Sequence, residues 1–165
     1  MKNISVISLL ILIIGTGCSK FPSHKDITVI YYQNKELINR IKDGFFSSGF
    51  IPNKDGNGVI LYYDYNNGQL LCQDDTKGEI LQSIQNVHSD AIEYFQRMNR
   101  NFSPRIDFSK IPYKEDIMVQ FRFHGGRGYS GGFVYTDVIK QNQWIWGNTV
   151  HLEDNWYAFR YRFTE

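Results

Sequence analysis

Charge of one sign is what this sequence most lacks: 18 Lys and Arg face 17 Asp and Glu over 165 residues, a formal net charge of +1. Nucleic-acid binders show a strongly basic domain or stripe, so that class is not expected. Cysteine is scarce as well, and two residues, Cys18 and Cys72, cannot build a disulfide framework. No apolar run approaches the roughly 20 residues that a spanning helix needs. Repeats, low-complexity tracts and internal linkers are missing too. With 42% apolar and 21% charged residues the chain has the make-up of an ordinary globular protein, which removes wholesale disorder, collagen and coiled coil. His24, His88, His124 and His151 are scattered outside any H-x-x-x-H or Cys/His spacing, so no metal is expected. No cofactor is expected either, because the glycine-rich stretch His124–Gly132 lacks the G-K-[ST] of a phosphate loop.

What is present begins at Met1. Lys2 is followed by an apolar run from Val6 to Ile14, then by Gly15-Thr16-Gly17 and Cys18. A basic start, a short apolar core and small residues at its end form the secretory-signal pattern. With Cys18 directly after the small residues, the segment resembles a bacterial lipoprotein signal peptide, Gly15-Thr16-Gly17-Cys18 standing as its lipobox. The family usually carries Leu where Gly15 stands. The resemblance implies cleavage before Cys18, a diacylglyceryl thioether on its sulfur, and often a third chain on the new amino group. Two or more acyl chains hold firmly where one is marginal. It further implies a lipid-anchored envelope protein, on the periplasmic face of the outer membrane if the source is Gram-negative, since Ser19 and not Asp follows the cysteine.

The expected organisation is a signal peptide over 1–17, a lipidated Cys18 with a polar tether to Asp26, and one domain over 27–165. Ser19–Asp26 fully extended would reach roughly 26 Å. Ile27–Tyr32 fits a strand or the first turns of a helix. Leu37, Ile38, Ile41 and Phe45 share one helical face, with Gly49 as a stop. Val59–Tyr65 and Gln69–Gln73 read as strands around Asn66-Asn67-Gly68, a turn suited to positive φ. Thr76 and Glu79 form a capping-box pattern ahead of Ile80, Ile84, Val87, Ala91, Phe95 and Met98, which predicts one helix to about Asn99. Arg105–Tyr113, with Pro104 and Pro112 near its ends, reads as a connecting loop. Alternation over 117–124 and 157–164, with runs at Phe133–Ile139 and Gln143–Leu152, predicts further strands with one buried and one wet face. The fold class expected is α+β: an antiparallel sheet of about five to six strands with two helices on one face.

Chemistry-bearing patterns are thin. Gly128-Tyr129-Ser130-Gly131-Gly132 matches G-x-S-x-G, with Asp137 and His151 following in hydrolase order. A nucleophile elbow needs a strand-to-helix turn, and a strand follows here, so no catalytic residue is assigned. Asn53–Ile60 resembles the start of a calcium loop with Asp64 at the twelfth place, but a polar turn entering a hairpin accounts for the same residues. Cys72, in Leu70-Leu71-Cys72, is expected to be a buried, inert thiol. Arg127 and Tyr129 at a glycine-rich hairpin tip are contact candidates, since these residue types dominate binding hot spots. Trp144 and Trp146 flank Ile145 and by alternation share the face opposite to it, so they are either core or an exposed stacking pair. The functional expectation is a non-catalytic, lipid-anchored envelope protein whose domain binds a protein partner as an adaptor, an inhibitor or an immunity-type factor. A glycan- or peptidoglycan-contacting module is the alternative, and a small envelope hydrolase a third.

Overall fold

The structure is a computed structural model that describes residues 21–52, 58–73, 79–110, 117–125, 128–136 and 148–162. The fold is α+β, as the patterning leads one to expect. Helix α1 (His24–Ser47) comes first. Ile27, Tyr31, Asn34, Leu37, Ile38, Ile41 and Phe45 recur at three- and four-residue spacing and all are buried. That continuity settles Ile27–Tyr32 as helix. Ser23 caps the helix: its Oγ accepts from the Asp26 N–H at 3.3 Å, and the Asp26 carboxylate accepts from the Ser23 N–H at 2.8 Å. The domain therefore reaches back past Ile27. Pro22 and Phe21 are already buried, which shortens the tether read from sequence.

Strands β1 (Val59–Asp64) and β2 (Gln69–Cys72) form the expected hairpin. Asp64 Oδ1 accepts from the Asn66 and Asn67 N–H groups, and Gly68 sits at φ +68. The single helix expected up to Asn99 is two pieces, α2 (Glu79–Ser83) and α3 (Gln85–Arg97), joined at Ile84. Its apolar stripe survives the break: Ile84, Val87, Ala91 and Phe95 are buried, with Tyr94 added.

Then follow a 3₁₀ turn (Arg100–Phe102), β3 (Arg105–Lys110), β4 (Ile117–Gly125), β5 (Tyr129–Thr136), β6 (Asn148–Glu153) and β7 (Trp156–Arg162). All pair antiparallel in one seven-stranded sheet of order β2-β1-β3-β4-β5-β7-β6. The strand beyond the expected six is β3, in the stretch read as a loop. Ile106 and Phe108 enter the core while Asp107 and Arg105 turn to the other side, where they meet Arg122. Charged residues satisfied within a sheet resemble loop residues in sequence.

The helices cover one side of the sheet. Val59, Leu61, Ile106, Phe108, Val119, Phe121, Phe123, Phe133, Trp156 and Ala158 join the helix stripes in one core. Trp156 is fully buried, and its indole N–H donates to Asn39 Oδ1 at 3.0 Å. The expectation of a wet second face needs correction. Met118, Gln120 and Arg122 are buried too, and Met118, Val134 and Phe159 form a second small cluster flanked by Tyr157 and Tyr161.

Candidate functional site

One end of the sheet gathers cationic and aromatic side chains around Phe21. Its ring stacks on Tyr129 with centroids 5.8 Å apart and planes at 15°, and meets Phe102 edge-on at 6.2 Å. The seat exists because two glycines form its floor. A Cβ on Gly125 would lie 2.3 Å from the Phe21 ring, and one on Gly131 would lie 3.2 Å from it. Gly132, at φ +151, brings its backbone so close to Phe121 that a side chain would clash with the carbonyl. The glycine-rich stretch is thus largely strand: β4 runs to Gly125 and β5 starts at Tyr129. Arg160 and Arg162 place their guanidinium carbons 4.9 and 5.4 Å from the Tyr129 ring centre, and Arg160 lies 5.8 Å from Phe21.

Beside this seat, on the side of the sheet away from the helices, runs a polar ladder. Arg122 donates to Asp107 Oδ2 at 2.9 Å and to the Tyr161 hydroxyl at 2.6 Å, while Arg105 Nε lies 3.2 Å from Asp107 Oδ1. Arg122 and Asp107 are both buried. His124 stands two residues further along β4. Burial, with Arg105 and Arg122 nearby, depresses its pKa to about 4, so the ring is neutral at pH 7. Its Nε2 is buried and lacks a hydrogen-bond partner among the described residues. Among the described residues, two guanidinium groups face one carboxylate in this ladder.

A second surface lies at the edge strand β6. Its described pairing is to β7 alone, which leaves its outer edge without a strand partner among the described residues. Next to it, α1 exposes Val29 (43%) and Tyr32 (49%), and β6 exposes Val150 (43%). The Tyr32 hydroxyl donates to the Leu152 carbonyl at 3.1 Å, which ties helix to edge. Glu153 anchors the same seam: Lys35 donates to it at 2.6 Å and the Tyr31 hydroxyl at 2.8 Å. The Lys35 bond holds the Glu153 carboxyl below its usual range, and burial followed by the Glu153 contact pushes the Tyr31 phenol up.

Of the residues singled out by sequence, Tyr129 is described and belongs to the Phe21 seat. Cys18, Arg127, Trp144 and Trp146 lie outside the described residues. So do Asp137 and Asn53–Asn57. Ser130 is fully buried within β5, its hydroxyl donating to the Phe123 carbonyl at 3.3 Å, far in geometry from a strand-to-helix elbow. His151 is exposed and its Nε2 lies 2.8 Å from the Asp154 carbonyl. Asp64 spends its oxygens on the hairpin turn. Cys72 is half-buried against the core, less enclosed than its apolar setting suggests. Among the described residues no three His, Cys, Asp or Glu side chains gather to hold a metal. Sequence patterning does not single out Phe21, Arg160 or the Arg105–Asp107–Arg122 set as a site. The available signal was a lone phenylalanine just ahead of an N-cap serine.

No family model, curated protein or solved structure matches the chain. The geometry comprises a stacked cationic end and, among the described residues, an apolar edge without a strand partner.

Proposed function

We propose that this chain is a lipid-anchored protein of the bacterial envelope, tethered through Cys18, whose domain binds a protein partner. The anchor rests on the signal-like segment ending at Cys18. Among the described residues no helix is long and apolar enough to cross a membrane. The observation that carries the partner is the β6 edge, where Val29, Tyr32 and Val150 stand exposed beside a strand whose outer side has no strand partner among the described residues. Apolar side chains grouped at an open edge suit strand addition by another polypeptide, with the backbone giving affinity and the side chains specificity. An adaptor, an inhibitor or an immunity-type factor would each use such a surface.

Two measurements test the reading. Cys18→Ala should abolish detergent-phase partitioning and fatty-acid labelling, and unchanged partitioning retires the anchor. A photocrosslinker at Val150, in native membranes, should give one dominant protein adduct that disappears in Tyr32→Glu. A smear of adducts indifferent to that substitution retires the edge as the binding surface.

A further inference from the structure

The proximity of Phe21 to Cys18 has a geometric consequence for how the domain sits. Three virtual bonds of about 3.8 Å separate the two α-carbons, so they lie at most about 11 Å apart. From Phe21 on, the chain is fixed. Phe21 is 6% exposed, Pro22 is buried, and Ser23 and Asp26 lock the entry to α1 through reciprocal bonds. An acylated Cys18 therefore holds one particular end of the domain at the bilayer, within roughly a Debye length of the headgroups.

That end is basic. Lys25, Arg100, Arg105, Arg122, Arg160 and Arg162 lie on it, at the start of α1, the 3₁₀ turn, the start of β3, and the ends of β4 and β7. Its described acids, Asp26, Asp64 and Asp107, are engaged by the α1 cap, the hairpin turn and the Arg122 pair. The opposite end carries Asp43, Glu153 and Asp154 together with Lys42 and Lys110. Among the described residues, cations therefore outnumber acids at the end next to Cys18. Arg100 and Arg162 are exposed there, and Phe102 and Tyr129 lie half-buried between them.

We infer that the Phe21 end is a membrane-contacting surface that engages anionic lipid headgroups through Arg100, Arg160 and Arg162, and fixes the domain in one orientation on the bilayer. This rests on the Cys18 anchor and adds to it a lipid charge preference and a defined pose. In that pose the far end of α1, some 30 Å along its axis, points away from the headgroups.

The test uses the acylated full-length protein in a Cys72→Ser background, bearing a fluorophore at either Asn101→Cys or Asp43→Cys. Vesicles carry a headgroup quencher and either neutral lipid alone or about 30% phosphatidylglycerol, and flotation reports bound protein. The expected result is loss of about half the Asn101 signal on anionic vesicles, against less than about a tenth at Asp43. Arg100→Glu with Arg162→Glu, or about 0.5 M salt, should cut the Asn101 quenching at least twofold while flotation stays unchanged. Equal quenching at the two positions, or quenching indifferent to lipid charge, overturns the oriented contact and leaves the anchor standing. Failure to float on either vesicle overturns the anchor and the contact with it.

Discussion

Phe21 stacks on Tyr129 across 5.8 Å, joining the segment before α1 to the first residue of β5. The contact closes one end of the core, because Gly125 and Gly131 leave the space that the ring fills. Phe21→Ala empties a seat that strands cannot collapse into, and should cost about 3 kcal/mol in urea unfolding. Gly125→Ala should destabilise by about 1–3 kcal/mol by forcing a methyl into the ring. A Phe21→Ala loss below about 0.5 kcal/mol would show that the seat contributes nothing to the fold.

Sequence periodicity identifies the elements whose faces are purely apolar. The α1 stripe from Leu37 to Phe45, the Ile84–Phe95 stripe and the β1–β2 hairpin all stand where spacing places them. It fails where burial is achieved by pairing. β3 hides because Arg105 and Asp107 look solvated, and their partner Arg122 lies on the next strand of the sheet. Phe21 hides for another reason: its neighbours Gly125, Tyr129 and Arg160 are more than a hundred residues away in the chain. Periodicity is local, and neither relationship is. Of the candidate site, Tyr129 alone was legible. The Cys18 anchor is read from sequence, and the fold adds only where an anchored domain would be held.

The Arg122–Asp107 pair is buried, with Arg105 on the other carboxylate oxygen. Removing one partner strands charge in a low-dielectric setting, so Asp107→Ala should cost about 3–5 kcal/mol. The double variant Asp107→Leu with Arg122→Met should recover much of that loss, because it removes the desolvation penalty with the attraction. Chemical denaturation of the singles and the double measures the coupling. Additive losses would show that the pair is not energetically linked.

Tyr94 is fully buried against Phe95 and Phe121, and its hydroxyl has no hydrogen-bond partner among the described residues. Burial drives its pKa well above the ordinary phenol value. A buried hydroxyl left unsatisfied costs about 1–3 kcal/mol, while the ring itself packs edge-on in the core. Tyr94→Phe keeps the ring and removes the oxygen, so the melting temperature should rise by a few degrees. A fall instead would mean that the oxygen has a bonding partner.

His124 gives the fold a pH dependence of definite sign. Its folded pKa, about 4, lies below the 6.5 of an ordinary imidazole, because burial, Arg105 and Arg122 all oppose the charged ring. Between those values the unfolded chain binds a proton that the folded chain refuses, so stability falls as pH falls from about 6.5 towards 4. The contribution is fully present above 6.5 and is lost towards pH 4, where the lowered carboxylates of Asp26, Asp64 and Glu153 add their own acid-side loss of the same sign. Part of the ring stays in water, so the loss by pH 5 is about 1 kcal/mol after allowance for screening. His124→Gln should flatten the stability profile between pH 7 and 5, and the wild-type ring should still give a neutral imidazole resonance at pH 5. A wild-type ring that titrates near 6.5, or a variant with an unchanged slope, would place the proton elsewhere.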